Sequence, residues 1–201
     1  MDLEIRKAPS VPAKLDVLDA IYARRAVRAY TSQKVEEGLI GKLLNAAIQA
    51  PSARNLQPWA FSVIQSPQLL KDISEKTKQH LKRDSEGKPQ AEHFSERFSD
   101  PNFNIFYGAP TVVVICAKRD GYGPIEDCYL AAENLMLAAV GMGLGTCPVG
   151  LSRDVLRTAE FRKKLGLPED FVPVIAITVG YSKGVFPRPP KLAPVIFKWI
   201  N

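Results

Sequence analysis

The segment from Pro51 to Trp59 carries the polar side chains whose types and spacing are best suited to chemistry. It reads Pro-Ser-Ala-Arg-Asn-Leu-Gln-Pro-Trp and separates a helical apolar pattern from a strand-like apolar run. Proline fixes the path of the backbone and removes a donor, whereas Ser52, Asn55 and Gln57 offer hydrogen-bonding groups that are costly to bury without partners. We therefore interpret the segment as a rigid polar platform between a helix and a strand.

Three arginines, Arg24, Arg25 and Arg28, crowd the end of the first predicted helix, just before Tyr30. A guanidinium group can donate two parallel hydrogen bonds to one phosphate and can hold positive charge beside an electron-rich ring. Because the C-terminal ends of helices attract arginine in any case, the cluster on its own favours ordinary surface charge. When the platform and the downstream turn Cys147–Gly150 are considered with it, the cluster is better interpreted as part of a functional site.

Other motifs favour structural interpretations. The glycines of Gly141–Gly145 follow a helix, whereas a dinucleotide-binding fingerprint must follow a strand and open a helix, so they indicate a glycine turn at a helix end. Ser152 lacks the second glycine of a nucleophile elbow and is interpreted as a helix N-cap. His80 and His93 lie in polar segments without metal-ligand spacing, which predicts surface histidines and no metal site.

The elements that must position these groups follow from hydrophobic periodicity. Strand 111–117 is a continuous run rich in β-branched residues, as expected for a central strand covered on both faces. The helix over 126–140 is apolar on most of its surface, which places it in the core or in a subunit interface. The remaining pattern predicts helices over 16–25, 35–50, 67–81 and 152–165 and strands over 59–65 and 171–181.

Length and composition predict one domain. The 201 residues, 46% of them hydrophobic, can bury a single α/β core over 1–201, with an N-terminal arm over 1–14 and a lid or insertion over 84–104. A C-terminal arm over 182–201 is spaced by prolines and ends in an apolar stretch, which predicts docking on another surface, such as that of a second subunit.

Composition also bounds location and partners. We find neither a signal-peptide pattern nor the roughly 20 consecutive apolar residues of a membrane span, so we expect a cytoplasmic protein without membrane contact. Cys116, Cys128 and Cys147 are odd in number and lack CxxC spacing, which predicts buried free thiols. The formal net charge of +6 favours anionic partners, but no basic run is interleaved with aromatics, so nucleic acid is not expected.

Taken together, the chain resembles the FMN-dependent nitroreductase family. Arg24-Arg25-x-x-Arg28 resembles the first flavin-binding motif of that family, Pro51-Ser52-x-x-Asn55-x-Gln57-Pro58-Trp59 the second, and Gly143–Gly150 the third. The helix over 127–139 is similar to the helix that precedes the third motif. Three collinear motifs over most of the chain make the resemblance specific, whereas any one of them would be weak.

The resemblance implies an α+β fold (mixed α/β), with a nitroreductase-like mixed sheet flanked by helices and the C-terminal arm exchanged in a homodimer that holds FMN at its interface. Arg24 and Arg25 would hold the FMN phosphate, Arg28 would approach the pyrimidine side of the ring, and Arg188 would return from the arm to the phosphate. Ser52 and Asn55 would serve the flavin of the other subunit. The complete set of implied cofactor-binding residues is Arg24, Arg25, Ala26, Arg28, Pro51, Ser52, Ala53, Asn55, Gln57, Pro148, Val149, Gly150, Arg188 and Lys191.

By the same resemblance, hydride from NADH or NADPH passes through flavin N5 to an electron-poor small molecule such as a nitroaromatic or a quinone, without a catalytic protein side chain. Two alternatives stay open: a specialised branch acting on one metabolite, such as a dehydrogenase, a dehalogenase or a flavin-fragmenting enzyme, and a non-catalytic FMN-binding protein. Two residues depart from the family pattern, since Ala26 stands where serine is common and Glu133 where glutamine is common.

Overall fold

The computed structural model of the chain describes residues 15–85 and 98–200. The elements that lie wholly within these ranges are six α-helices, one 3-10 turn at Ala53–Asn55 and four strands. The helices are α1 Val17–Ala23, α2 Glu37–Ala47, α3 Pro67–Ser85, α4 Pro124–Gly141, α5 Arg153–Leu156 and α6 Ala159–Lys164. The strands are β1 Trp59–Ile64, β2 Thr111–Lys118, β3 Gly145–Val149 and β4 Phe171–Gly180.

The helix boundaries follow local chemistry. Helix α1 begins after Asp16, whose carboxylate accepts the backbone N–H of Asp19 at 2.8 Å. Helix α4 ends in the predicted glycine turn, where Gly143 has φ 71° and the N–H of Leu144 donates to the carbonyl of Ala139 at 2.8 Å.

One predicted helix is wrong, because the stretch 152–165 forms two short helices, α5 and α6. The hydroxyl of Thr158 donates to the carbonyl of Val155 at 2.7 Å, and Thr158 itself is extended with ψ 152°, so the chain restarts at Ala159. Ser152 occupies the N-cap position of α5, but its buried hydroxyl makes no capping bond.

The four strands form one sheet in the order β1-β2-β4-β3, with every neighbouring pair antiparallel. The α+β class is therefore confirmed. Among the described residues, the parallel component of the sheet is a single bridge between Ala26 and Thr146 at the edge of β3. Strand β2 is central, as its β-branched sequence predicts.

The core lies on both faces of this sheet. Successive residues of β2 point to opposite faces, so Val113 and Ile115 pack with α2 and α4, and Val112 and Val114 pack with α3, α5 and α6. Helix α4 contributes seven buried residues from Asp127 to Ala139, which confirms its predicted place in the core.

The chain leaves the sheet in an arm that buries little of its apolar surface. The N–H of Lys183 donates to the carbonyl of Ala29 at 2.9 Å, and beyond it Leu192, Phe197 and Trp199 are 98%, 99% and 77% exposed. The predicted N-terminal arm and residues 86–97 of the predicted lid lie outside the described residues. Within the described ranges, no helix combines the length and apolar character that crossing a membrane requires.

Candidate functional site

The arginine-bearing segment 24–28 lies along the free edge of β3. The N–H of Val27 donates to the carbonyl of Thr146 at 2.9 Å, and Ala26 pairs with Thr146 in the parallel bridge. Gly145 permits this approach, because a Cβ at that position would lie 2.7 Å from the side chain of Val27. The first and third predicted motifs are thus in direct backbone contact, although the strand β3 itself was missed by the sequence pattern.

Tyr30 fixes the end of the same segment. Its buried hydroxyl lies 2.8 Å from the carbonyl of Val27 and 2.7 Å from the hydroxyl of Thr178, which in turn donates to the carbonyl of Cys147 at 3.1 Å. Burial raises the pKa of Tyr30 well above its ordinary value. The phenol is therefore neutral at physiological pH and acts as a structural bridge between segment 24–28 and the sheet.

Positive charge gathers around Tyr22 at the end of α1. A guanidinium nitrogen of Arg25 donates to the carbonyl of Tyr22 at 2.6 Å, and the guanidinium of Arg188 lies 5.3 Å from the Tyr22 ring centre. Arg24 forms an ion pair with Glu133 at 3.0 Å. The structure therefore places Arg188 against Tyr22, the residue that Arg25 also contacts, while Lys191 lies exposed farther along the arm.

Arg28 occupies a different place from its two neighbours. It is exposed, and its guanidinium lies 5.9 Å from the ring centre of Tyr107. Its positive charge lowers the pKa of the Cys147 thiol, but burial has the larger effect and raises that pKa overall. Cys147 is thus kept protonated near neutral pH beside the arginine cluster.

The platform segment forms a strained turn. Arg54, Asn55 and Gln57 have φ values of 52°, 55° and 47°, in the left-handed region that residues other than glycine rarely adopt. The N–H of Gln57 donates to the hydroxyl of Ser52 at 3.0 Å, and the side-chain amide of Gln57 donates to that of Asn55 at 3.2 Å. Asn55 and Gln57 are exposed. Backbone strain of this kind is commonly found at functional sites, where surrounding contacts hold it in place.

Helix α4 and the loop before it support this turn. The N–H of Ala53 donates to both carboxylate oxygens of Asp127, at 3.3 and 3.2 Å, and Asp127 is 6% exposed. The guanidinium of Arg54 lies 4.4 Å from the ring centre of Tyr122. Pro51 is exposed and marks the start of the turn.

The third predicted motif presents backbone to solvent. Pro148 and Gly150 are exposed at the end of β3, whereas the side chain of Val149 is buried in the core shared with α3, α5 and α6. Only the backbone of Val149 is therefore available to a ligand. A guanidinium nitrogen of Arg153 donates to the hydroxyl of Tyr129 at 3.0 Å. The same nitrogen lies close to Gly150, since a Cβ added to that glycine would be 3.8 Å from it.

The three cysteines and His80 lie outside the two groups of predicted site residues or are buried within the sheet. Burial raises the pKa of Cys116 and of Cys128 to about 12, and all three cysteines are free and buried, as predicted. His80 is partly exposed between Asp84 and Asp154, while His93 lies outside the described residues. In the described ranges, no three His, Cys, Asp or Glu side chains lie together as metal ligands would.

The predicted site residues thus fall into two groups on one chain. The first and third motifs meet at the edge of β3, and Arg188 lies beside Tyr22 of α1. The second motif is attached to the first turn of α4 through Asp127. Glu133, six residues farther along α4 and so roughly 9 Å along its axis, contacts Arg24. Helix α4 is the element that holds the two groups at a set spacing.

Comparison with known proteins identifies the family of this chain. The Nitroreductase family model matches residues 21–181. A protein of Archaeoglobus fulgidus described as a candidate NADH dehydrogenase/NAD(P)H nitroreductase is 33% identical, covering 84% of this chain and 86% of the relative. The chain belongs to the nitroreductase family, so the resemblance predicted from the three motifs is confirmed.

Two solved structures share the fold. A nitroreductase with bound FMN from Desulfitobacterium hafniense has a TM-score of 0.76 and 26% identity, covering 90% of this chain and 98% of that one. A nitroreductase with bound FMN from Bacteroides fragilis has a TM-score of 0.79 and 24% identity, covering 92% and 99%. At this lower identity the second comparison supports the fold alone.

Three residues that lie at the site were not predicted from the sequence. Asp127 reads as an ordinary acid in the first turn of a helix, Arg153 as solvated helix charge, and Tyr107 has no local pattern around it. The only signal for Asp127 is its position as a carboxylate on a helix that is otherwise predicted to be buried. Their neighbours at the site come from distant parts of the chain, which periodicity does not reveal.

Proposed function

We propose that this chain is an FMN-dependent oxidoreductase that takes hydride from NADH or NADPH and passes it to an electron-poor small molecule, such as a nitroaromatic or a quinone. The observation that carries the proposal is that Arg25 and Arg188 both contact Tyr22 at the end of α1, while segment 24–28 bonds to β3, which leads into the exposed turn Pro148–Gly150. Membership of the nitroreductase family and the FMN bound to the Desulfitobacterium hafniense relative support it. FMN would supply the hydride chemistry.

The residues at the site fit such a cofactor. Arg24, Arg25 and Arg188 would hold the phosphate, with Lys191 as a further cation from the arm, because guanidinium groups fork onto phosphate oxygens. Arg28, set apart beside Tyr107, would stabilise negative charge on the pyrimidine side of the ring. Ala26 would contribute backbone only.

Backbone and small side chains would line the remaining surfaces. Pro148 and Gly150 would leave one ring face open to the hydride donor and then to the acceptor, and Val149 would contribute its backbone. From the second motif, Ser52, Asn55 and Gln57 would offer hydrogen-bonding groups, with Pro51 and Ala53 shaping the turn. A cysteine nucleophile is not needed, and the raised pKa of the Cys147 thiol keeps it protonated at neutral pH.

We further propose that the active form is a homodimer. Val195, Phe197 and Trp199 in the arm are 77% to 99% exposed, and α1 exposes Leu18 and Tyr22 at 58% each. Apolar surface of this extent is typical of a protein interface. Family membership supports the further proposal that two chains hold each flavin, with each arm exchanged onto the partner.

The visible spectrum of the purified protein tests the proposal. We expect a yellow flavoprotein that bleaches with NADH or NADPH and regains its colour with one class of acceptor. The double variant R24A/R25A should lose flavin, whereas K42A, which removes an exposed cation from α2, should keep it. The proposal would be refuted if FMN were added, unbound FMN were removed, and the protein then showed no flavin absorption.

The same assay separates the alternatives. A specialised branch would bind FMN and show little NADH or NADPH oxidation with nitroaromatics or quinones. A non-catalytic flavin protein would be reduced and then reoxidised no faster by any acceptor than by oxygen. Light scattering tests the dimer, and a chain ending at Gly184 should be monomeric and lack flavin.

A further inference from the structure

We propose that Asp127 is a positioning residue for the cofactor site: it holds the turn Pro51–Trp59 in the conformation that binds FMN. The proposal rests on the proposed function for the identity of the ligand, but the contact itself is independent of it. Its basis is a buried carboxylate on α4 that accepts a backbone N–H from a strained turn 74 residues earlier in the chain.

The strain explains why the turn needs an external anchor. Arg54, Asn55 and Gln57 all have positive φ, and none is a glycine. An unanchored chain would relax toward the right-handed or extended regions, because left-handed backbone is disfavoured for L residues. The bond from Gln57 N–H to Ser52 lies within the turn. It therefore sets the shape of the turn but not its place on the protein.

Two backbone hydrogen bonds attach the ends of the turn to other elements, and the Arg54 side chain contacts Tyr122 between them. At its C-terminal end, the carbonyl of Pro58 accepts the N–H of Lys118 at 2.8 Å, where β1 begins to pair with β2. At its N-terminal end, the N–H of Ala53 donates to Asp127. The predicted ligand-binding side chains Asn55 and Gln57 lie between these attachments, and Ser52 directly precedes Ala53, so loss of the Asp127 contact would loosen them at one end.

A carboxylate suits this place for two reasons. It lies in the first turn of an 18-residue helix, where backbone N–H groups and the helix dipole favour negative charge. It also offers acceptors only. The backbone nitrogen of Ala53 is nearly equidistant from the two carboxylate oxygens, at 3.3 and 3.2 Å. An asparagine would replace one of these acceptors by a donor that faces another N–H. Isosteric replacement should therefore weaken the anchor.

The anchor has a consequence for the whole site. Glu133 on the same helix contacts Arg24 of the first motif, so α4 presents one carboxylate to each of two predicted FMN-binding segments. Asp127 is buried and Glu133 is half-exposed. Since burial strengthens a charged hydrogen bond, the stronger positional control falls on the second motif.

The experiment compares D127N and D127A with E126Q, which removes an exposed carboxylate from the same helical turn. FMN titration of each apoprotein gives the dissociation constant, and hydrogen exchange of the apoprotein follows the peptide 51–58. We expect FMN binding about tenfold weaker in D127N and weaker still in D127A, in line with loss of a hydrogen bond to a charged group. Exchange should increase at 51–58 while β2 and β4 keep their protection, and the visible absorption of bound FMN should shift. E126Q should behave as wild type.

Two results would overturn the proposal. One is a folded D127N with wild-type FMN affinity and wild-type exchange at 51–58. The other is a loss of affinity that merely follows global unfolding, with faster exchange throughout the sheet. Should D127A fail to fold, the FMN affinities of D127N and D127E test the proposal. D127E keeps a carboxylate and should therefore bind FMN more tightly than D127N. If wild-type protein bound no FMN, the proposed function would fail, while the exchange measurement would still test the anchor.

Discussion

The two segments that carry most of the predicted FMN contacts are held in place in opposite ways. Segment 24–28 is part of the sheet: it bonds to Thr146, packs against Gly145 and is bridged to β4 by the buried Tyr30. The platform turn 51–58 lies outside the sheet, has three left-handed residues and is anchored at its N-terminal end by one carboxylate. The first is fixed by backbone pairing and close packing, the second by side chains acting against strain.

This difference predicts how the two segments respond to mutation. Disturbing the first should cost stability of the whole domain, because its contacts are shared with the core. Disturbing the second should change cofactor binding, with a smaller effect on the free energy of unfolding, because its strain is stored locally. The variants below test that contrast.

The largest effect is expected for Gly145→Ala. The added Cβ would meet the side chain of Val27 at 2.7 Å, and the β-branched Val27 is buried and has little rotamer freedom. Overpacking costs about 1–3 kcal/mol, and loss of the Val27–Thr146 backbone bond adds about 1 kcal/mol. We expect the free energy of unfolding to fall by about 3 kcal/mol in urea titration.

Gly41→Ala is the matched control for this variant. A Cβ at Gly41 meets nothing within 4 Å, so the substitution should stabilise α2 by up to about 1 kcal/mol. If G145A were as stable as wild type, segment 24–28 would not be packed against β3 as described. The double variant V27A/G145A should be less destabilised than the sum of its single changes.

Tyr30→Phe should have the next largest effect. It removes the hydroxyl that lies between the carbonyl of Val27 and the hydroxyl of Thr178, at a cost of about 1–2 kcal/mol in the free energy of unfolding. Thr31→Ala, next to it on a partly exposed site, serves as a control with a small expected change.

The same variant has a pH signature. Burial raises the pKa of Tyr30 above its ordinary value of 10.0, so above pH 10 the unfolded state loses a proton that the folded state keeps. Wild-type stability should then fall by about 1.4 kcal/mol per pH unit from this residue, and Y30F should be spared that loss. The stability difference between the two proteins must therefore shrink above pH 10. A difference independent of pH would contradict the buried position of the phenol.

Gln57 tests the strained segment. Q57A keeps a Cβ at φ 47° and loses the side-chain amide, whereas Q57G loses the amide and relieves the strain. We expect Q57G to be more stable than Q57A by about 1 kcal/mol, while both bind FMN more weakly than wild type. Thermal unfolding of apoprotein and FMN titration measure the two quantities. Equal stability of the two variants would mean that the backbone at Gln57 is not strained.

The contrast also explains what the sequence could predict. Long periodic elements such as α2, α4 and β2 were predicted correctly, because their pattern reports burial directly. The motifs pointed to the family, since Arg24-Arg25-x-x-Arg28, the platform and the glycine turn are local in sequence. The division of 152–165 into α5 and α6 was not predicted. The apolar spacing continues across Thr158, whereas the helical backbone conformation is interrupted there.

The contacts between motifs could not be read from local patterns. Strand β3 has only five residues, including a proline and a glycine that both disfavour strand, and it forms through pairing with β4. The bond from Ala53 to Asp127 joins positions 74 residues apart. Neither leaves a periodic signal, so the sequence yields a set of expected site residues but not the way in which α4 and β3 connect them.

The smallest effect is expected for Glu133→Gln, which alters the carboxylate that contacts Arg24 of the arginine cluster. The ion pair with Arg24 is partly solvent-exposed, with 47% of the Glu133 side chain accessible, so its loss should change the free energy of unfolding by less than about 1 kcal/mol. Glutamine can still accept the bond from Arg24 while removing a negative charge beside the proposed phosphate site. FMN should therefore bind a few times more tightly in E133Q, and the gain should diminish as salt is raised because screening weakens exposed charge interactions. E126Q on the same helix should show no such gain. Weaker FMN binding in E133Q would mean instead that the full charge of Glu133 is required to orient Arg24, and the first segment, like the second, would then depend on a carboxylate from α4.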